Sequence, residues 1–387
     1  MNVLCVNHTG AVSGAEHSLL DLLAGLREEV NVRLACPDRG PLAAAARRLG
    51  VPVDGIPGTD GSLKLHPRET PLAVARMSLA AVLTARHARR MGADVIHANS
   101  IRAGLLTVPA ARIAGVPAVV HVRDRLPRST VADASLRWIA AGARIVAANS
   151  RYTADGLRAV SGRGRLRVIY NPVDLARFDR SQGDRGEARA RLGLRGDAFV
   201  VAVIGQITPW KGQREAVQVL ARLRRTHQQA ELLIVGEPKF VSAATRYDNR
   251  AYYAELERTI VAERLGDRVH LLGERADVPA IMGSLDALLV PSWEEPFGRV
   301  VIEAMALGLP VVATSVGGPA EIISDDRDGI LLAPRDPERW AGAVARLADS
   351  DSLRARLGEA ATRRAEDFAL PRHVRAMREI YQEAAQC

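Results

Sequence analysis

Two glutamates, Glu295 and Glu303, stand eight positions apart around a Phe297-Gly298 turn, and Lys211 closes a glycine-bearing loop earlier in the chain. Carboxylates can hold sugar hydroxyls, and an ammonium beside a glycine turn can neutralise a departing diphosphate. The apolar run Ala287 to Val290 after Asp286 reads as a buried strand, ended by Pro291-Ser292-Trp293. From Gly298 onward, the spacing of Val301, Ile302, Met305 and Ala306 predicts a helix that stops near Gly308 and Pro310. Glu295 then lies in the loop before that helix, and Glu303 about a turn and a half inside it. N–H groups in a helix's first turn lack intrahelical partners, so the segment Gly298 to Val300 can hold a phosphate while Glu295 takes hydroxyls beside it. A sugar nucleotide offers both groups.

A longer run surrounds this unit. Glu295-Pro296-Phe297-Gly298, then Glu303-Ala304-Met305-Ala306-Leu307-Gly308-Leu309-Pro310-Val311-Val312-Ala313-Thr314, then Gly317-Gly318-Pro319-Ala320-Glu321, resembles the signature of retaining glycosyltransferases of family four (glycosyl transferases group 1), which have the GT-B fold. The resemblance implies that Glu295 holds hydroxyls of the donor sugar and Glu303 the ribose. Phe297, Gly298, Arg299 and Val300 would then frame the diphosphate. Gly205-Gln206-Ile207-Thr208-Pro209-Trp210-Lys211-Gly212, after a strand ending at Ile204, would bring Gly205 and Lys211 to the same diphosphate. The family counterpart usually has arginine where Gln206 stands, which turns one of two expected cations into a neutral donor. Two further loops, one with Glu237 and Pro238 and one with Arg275 and Val278, resemble those that hold the base and diphosphate. Between them, residues 239–253 with Tyr247, Tyr252 and Tyr253 look like a variable insertion. The resemblance implies no metal and no cofactor, the nucleotide sugar (UDP- or GDP-linked) being a substrate. Asp326-Arg327-Asp328 has the Asp-x-Asp form of a metal-held diphosphate site, but it sits in a turn away from the nucleotide loops and reads as chance.

On the acceptor side, Gly14, Ala15 and Glu16 end a small-residue loop that opens a helix and lets backbone approach a phosphate. The loop lacks the Gly-x-Gly-x-x-Gly spacing of a dinucleotide fold. It resembles the family's glycine-rich loop, with Ala15 where glycine is common. His121, in the strand Val119 to Val122, could lend a hydrogen bond to the transferring sugar or acceptor. The family's histidine falls at Arg123, so His121 and Arg123 both stand as candidates, with His97 at the preceding strand end as a third.

With 387 residues, 48% hydrophobic and 25% charged, the chain has the composition of two or three globular domains. Three scattered cysteines, Cys5, Cys36 and Cys387, make no disulfide framework and fit a reducing cytoplasm. The first residues carry no basic leader, and no apolar run reaches the roughly 20 residues that cross a bilayer. Charge is uneven: residues 1–175 hold 23 basic against 13 acidic side chains, a net +10, so the remainder is nearly neutral. Such a half attracts phosphorylated acceptors or an anionic membrane surface, giving a cytoplasmic protein with a peripheral position on the inner face of the membrane as an option. Nucleic acid is disfavoured, because aromatic residues are only 4% and do not interleave with the basic ones. Only Lys64, Lys211 and Lys239 are lysines among 53 basic residues, and two of them adjoin the nucleotide loops.

Short apolar runs alternate with helical patterns in two series of six, the first running from Val3 to Val6 through to Val168 to Tyr170 and the second from Phe199 to Ile204 through to Ile330 to Leu332. The expected fold is α/β, GT-B, with two Rossmann-like doubly wound parallel-sheet domains facing a central cleft. Residues 1–175 would bind the acceptor and 176–370 the nucleotide sugar, while 371–387 would form a helix crossing back, its face made by Val374, Met377, Tyr381 and Ala384. Asn171 to Asp174 and the charged stretch Ser181 to Gly186 read as the linker. The expected activity is metal-independent, retaining hexosyl transfer to an acceptor hydroxyl in envelope polysaccharide, glycolipid or natural-product synthesis, on a lipid-linked, saccharide or natural-product acceptor. Two alternatives are a sugar-nucleotide epimerase of the same architecture and a catalytically weak, membrane-docking nucleotide-sugar-binding protein.

Overall fold

The structure, a computed structural model, describes residues 1–59, 69–127, 129–160, 165–239 and 247–386. Lys64, Cys387 and residues 240–246 of the insertion lie outside the described residues. The chain divides into two compact units, Met1–Pro172 with Leu370–Cys387, and Val173–Ala369.

The first unit holds seven parallel strands: β1 (Asn2–Val6), β2 (Asn31–Cys36), β3 (Val53–Gly55), β4 (Val95–Ala98), β5 (Ala118–Val122), β6 (Ile145–Ala148) and β7 (Leu166–Val168). They lie in the order β3-β2-β1-β4-β5-β6-β7. Central strands covered on both faces must be apolar throughout, and β1, β4, β5 and β6 are buried along almost their whole length. Side chains alternate between faces. Leu4, Val6, Ile96, Ala98, Val120 and Val122 pack with the helices Glu69–Met91, Ile101–Ala114 and Thr130–Gly142. Val3, Cys5, Val95 and Val119 pack with the helices Gly14–Leu26 and Leu370–Ala385. Val374, Met377, Tyr381 and Ala384 form the buried face of the latter, joined by His373 and Ile380.

The second unit repeats the plan with β8 (Phe199–Ile204), β9 (Ala230–Val235), β10 (Val269–Gly273), β11 (Ala287–Val290), β12 (Val311–Thr314) and β13 (Ile330–Leu332), in the order β10-β9-β8-β11-β12-β13. In each unit the order reverses beside the first strand, between β1 and β4 and between β8 and β11. Loops part there at the carboxyl ends of the strands and leave room for a ligand.

Three expectations need correction. The edge strand β3 has no apolar run to announce it. β7 lies at Leu166–Val168 rather than Val168 to Tyr170, being a half-exposed edge strand that one apolar face suffices to fix. The stretch Ser181 to Gly186 is not a free linker, because Asp184 caps a helix, Arg185–Arg191, by accepting from the Glu187 N–H at 2.7 Å. Arg185 and Arg189 of that helix bind the buried Asp286 at 2.5 and 2.7 Å, and Asp286 also accepts from the Val200 N–H, so the segment is pinned to the second sheet.

Candidate active site

Three loops of the second unit build the site. After β8, Gly205 and Ile207 donate their N–H groups to the carbonyls of Val235 and Glu237, which lays this loop along the end of β9. A single helical turn, Pro209–Lys211, then leads to Gly212 at φ +75°, where a Cβ would stand 2.2 Å from the Pro291 carbonyl oxygen. Only glycine lets the loop after β8 press this closely on the loop after β11. The contact is sealed by a hydrogen bond from the Trp293 N–H to the Trp210 carbonyl at 2.8 Å.

This approach brings Lys211 Nζ to 2.6 Å from Glu295 Oε2, and Ser292 Oγ donates to the same oxygen at 3.0 Å. The Glu295 side chain is 7% exposed and Lys211 20%, so the ion pair is mostly shielded from water yet reachable. Lys211 Nζ also lies 4.3 Å from the Trp210 ring centroid. Glu295 itself is fixed by backbone: its N–H donates to Val316 O at 3.1 Å, its carbonyl accepts from the Gly318 N–H at 2.8 Å, and it pairs with Gly317 in a parallel bridge. The Gly317-Gly318-Pro319 stretch therefore holds the carboxylate-bearing loop in place.

The helix after Glu295 runs Arg299–Ala306 with Gly298 as its cap at φ +92°. Gly298 has no side chain to cap the first turn, which leaves those N–H groups uncontested by a cap. Phe297 is buried and meets Phe368 edge-on at 6.1 Å. Glu303 Oε1 accepts from Arg299 Nη2 at 2.9 Å, so the two residues expected to meet the ribose and diphosphate are paired across one helical turn.

The remaining donor-loop residues separate. Gln206 Nε2 donates to the Lys239 carbonyl at 3.0 Å, and the Gln206 carbonyl accepts from Gln213 Nε2 at 2.9 Å, so this side chain braces the loop after β9. Lys239 Nζ pairs with Glu274 at 2.6 Å. Glu237 is exposed and Pro238 half-buried at the end of β9. Arg275 forms a two-pronged pair with Asp277 at 2.8 and 2.7 Å on the surface, just before Val278 starts a short helix. That pair raises the Arg275 pKa and holds the Asp277 carboxyl below its usual range. Asp326-Arg327-Asp328 is a turn in which Asp328 accepts from the Ser324 N–H at 2.7 Å and Asp326 pairs with Arg346.

In the first unit, an amide chain gathers the acceptor-side candidates. Arg123 donates from Nε to Asn99 Oδ1 at 2.9 Å and from Nη1 to Asn171 Oδ1 at 2.5 Å. Asn99 Nδ2 reaches Asn7 Oδ1 and the Ala15 carbonyl, and Asn7 Nδ2 reaches Glu16 Oε1 at 3.3 Å. Glu16 Oε2 accepts from the Ser13 N–H and hydroxyl, closing a capping box at the start of the helix Gly14–Leu26. A Cβ at Gly14 would meet nothing within 4 Å, so packing does not demand glycine there. The asparagines escaped the sequence reading. Their signal was the repeated Asn-Ser after an apolar strand, Asn99-Ser100 and Asn149-Ser150, in which each serine caps the next helix.

His121 and His97 lie elsewhere. Parity along β4 and β5 sends both toward the helix Leu370–Ala385, and neither has exposed area. Tyr381 hydroxyl stands 2.8 Å from His97 Nδ1, and the His121 ring stacks against that of His373 at 6.4 Å. This corrects the expectation that His121 meets a sugar or acceptor: it is a packed side chain, because the helix that covers the sheet covers it too. Burial lowers the His97 pKa to about 3, helped by Arg123 and His373, and drives His121 well below its ordinary value; burial and Arg102 take His8 to about 3. The unfolded chain protonates these imidazoles below about pH 6.5 whereas the folded chain does not, so stability is full above that pH and falls as the pH drops toward 3. Each such histidine removes about 1.4 kcal/mol per pH unit in that window. The melting midpoint is therefore expected to fall steeply between about pH 7 and pH 5. A midpoint flat over that range would mean the histidines titrate as exposed ones do.

Two parallel-sheet units of Rossmann strand order, with a lysine–glutamate pair and a glycine-capped helix at the carboxyl ends of the second sheet, place the chain in the class of α/β proteins built from two Rossmann-like units. A profile described as glycosyl transferases group 1 matches residues 184–364, and one described as glycosyltransferase family 4 matches residues 12–177. The chain belongs to this family. It is 33% identical over 294 residues to a D-inositol 3-phosphate glycosyltransferase of Salinispora arenicola, covering 73% of this chain and 60% of that one. A protein of the same description from Acidothermus cellulolyticus is 33% identical over 79% of this chain and 70% of its own. The chain thus spans about three fifths of the length of the first of these relatives. The solved structure of Anabaena Alr3699/HepE in complex with UDP-glucose superposes with a TM-score of 0.85 at 26% identity, covering 99% of this chain and 100% of that one.

Proposed function

We propose that this chain transfers a hexose from a UDP-sugar to a hydroxyl of a phosphorylated acceptor with retention of anomeric configuration. The observation that carries this reading is the shielded Lys211–Glu295 pair at 2.6 Å, which sets a cation for diphosphate and a carboxylate for hydroxyls side by side at the mouth of a helix. The UDP-glucose complex of the Anabaena protein supports the donor, and the inositol-phosphate relatives together with the +10 charge of residues 1–175 support the acceptor.

In this reading the anomeric C–O bond breaks with its electron pair leaving on the diphosphate. The acceptor oxygen bonds to the same face of the anomeric carbon, and its proton passes to the departing phosphate oxygen. Lys211 and the first-turn amides at Arg299 and Val300 stabilise the charge that grows on the leaving group. Glu295 orients the sugar. Because Lys211 is paired with Glu295 in this structure, a bound diphosphate shares the ammonium with the carboxylate, which keeps the lysine placed before the donor arrives. Arg123 and the loop Gly14 to Glu16 would receive the acceptor.

A thermal-shift panel of UDP-, GDP- and dTDP-sugars, followed by NMR of each stabilising donor with and without acceptor, tests the reading. The expected result is stabilisation by a UDP-hexose, slow donor hydrolysis alone, and a product that keeps the donor's anomeric configuration. Epimerised donor would replace transfer by epimerisation, and no stabilisation by any nucleotide sugar would remove the reading altogether.

A further inference from the structure

The outer surface of the first unit carries a feature that the transfer reading does not use. Among the described residues, eight large hydrophobic side chains are exposed, and six of them, Leu72, Val74, Leu79, Val82, Ile113 and Trp138, lie on three neighbouring helices: Glu69–Met91, Ile101–Ala114 and Thr130–Gly142. These helices cover one face of the sheet with small buried residues such as Ala81, Ala85, Ala110 and Ala111, so their opposite sides look outward together. Leu72, Leu79, Val82, Arg86 and Arg90 follow helical spacing along the first, which is about 34 Å long.

Arginines are woven into this surface. The three helices together carry seven arginines against two acids, Glu69 and Asp133. Arg89 donates to the Ile113 carbonyl and ties the first helix to the second, while the Arg112 guanidinium stands 5.2 Å from the Trp138 ring centroid and ties the second to the third. A soluble surface rarely gathers its exposed apolar side chains this way without an occupant. A helix with leucine and valine on its outer side and arginine at its flank is built to lie in a lipid interface, and tryptophan favours the same depth.

We infer that these three helices form a docking face for an anionic bilayer, with Leu79, Val82 and Trp138 entering the headgroup boundary and Arg76, Arg86, Arg90 and Arg112 meeting lipid phosphates. A second copy of the chain is a poorer occupant, because a two-fold contact would lay like-charged arginines on one another. The helices lie on the membrane and do not cross it: no described helix is long and apolar enough to do so. This inference is independent of the proposed transfer reaction.

Co-sedimentation of the full chain with vesicles of phosphatidylcholine alone, or mixed with an equal part of phosphatidylglycerol, tests it. Binding is expected to the anionic vesicles only, weakening as salt rises, with a blue shift of tryptophan emission that Trp138→Phe abolishes. Leu79→Asp with Val82→Asp, at exposed positions that leave the melting temperature intact, should release the protein. Arg86→Ala and Arg90→Ala should each weaken binding about fivefold. Failure of the wild type to sediment with anionic vesicles at low salt would overturn the proposal. So would binding unchanged in the double aspartate variant, or a concentration-dependent dimer that those substitutions dissolve.

Discussion

Lys211→Ala is expected to lower kcat by about 10²- to 10³-fold, the loss of about 2.7–4 kcal/mol seen when one preorganised donor to developing charge is removed. Donor Kd should change by less than about tenfold, because the diphosphate gains most of its charge on the way to the transition state. The argument rests on position: the ammonium is held 2.6 Å from Glu295, against Trp210 and shielded from bulk water, where a charge counts for more than it does at the surface. Stability should fall as well, since the substitution leaves a 7% exposed carboxylate with only the Ser292 hydroxyl on that oxygen. Breaking one side of a largely buried pair costs about 1–3 kcal/mol when some water reaches it. Separate measurement of kcat and of donor Kd by calorimetry checks the split. Equal losses in both would assign Lys211 to ground-state binding alone.

Gly317→Ala should be among the most damaging single methyls in the second unit. The residue sits at φ +106°, and a Cβ would fall 2.1 Å from the Glu295 carbonyl oxygen, which is backbone and cannot swing aside. Strain of the left-handed region together with the clash amounts to about 3–5 kcal/mol, which in a unit of this size lowers the melting midpoint by about 10 °C. Activity should suffer more than stability predicts, because relief of the clash breaks the Glu295–Gly317 bridge, and a shift of about 1 Å at a positioned carboxylate costs about 10²-fold in rate. Gly342→Ala provides the contrast, since a Cβ there meets nothing within 4 Å on the helix Pro337–Ala348 and should be neutral or gain about 0.5–1 kcal/mol. Paired melting curves and rates for both variants decide the matter. If Gly317→Ala melts and turns over like the wild type, the bridge does not hold Glu295.

Much of the fold was legible because parallel strands buried on both faces must be continuous apolar runs, and all six runs of the second series became strands β8 to β13. The helix opened by Gly298 was legible for a related reason, its apolar stripe having the period of a buried helix face. The edges of the first sheet were less so: β3 left no apolar run and β7 was read two residues late, since both bury too little to fix a pattern. The site divided in the same way. Glu295, Lys211 and the Gly317-Gly318 pair stood out as residue types in sequence, whereas their joining needed the close approach at Gly212, a contact between segments about eighty residues apart.

What the sequence determined by itself, then, was the alternation of elements, the two sheets and the residue types available for diphosphate and sugar, because local periodicity and turn chemistry act over a few residues. Only the tertiary structure decided which of those residues meet. It paired Lys211 with Glu295, turned Gln206 toward the Lys239 carbonyl, bound Arg123 into a ring of asparagines and buried His97 and His121 under the last helix. A side chain's partners are set by strand order and by whichever helix covers its face, and both are long-range facts that no window of neighbouring residues contains.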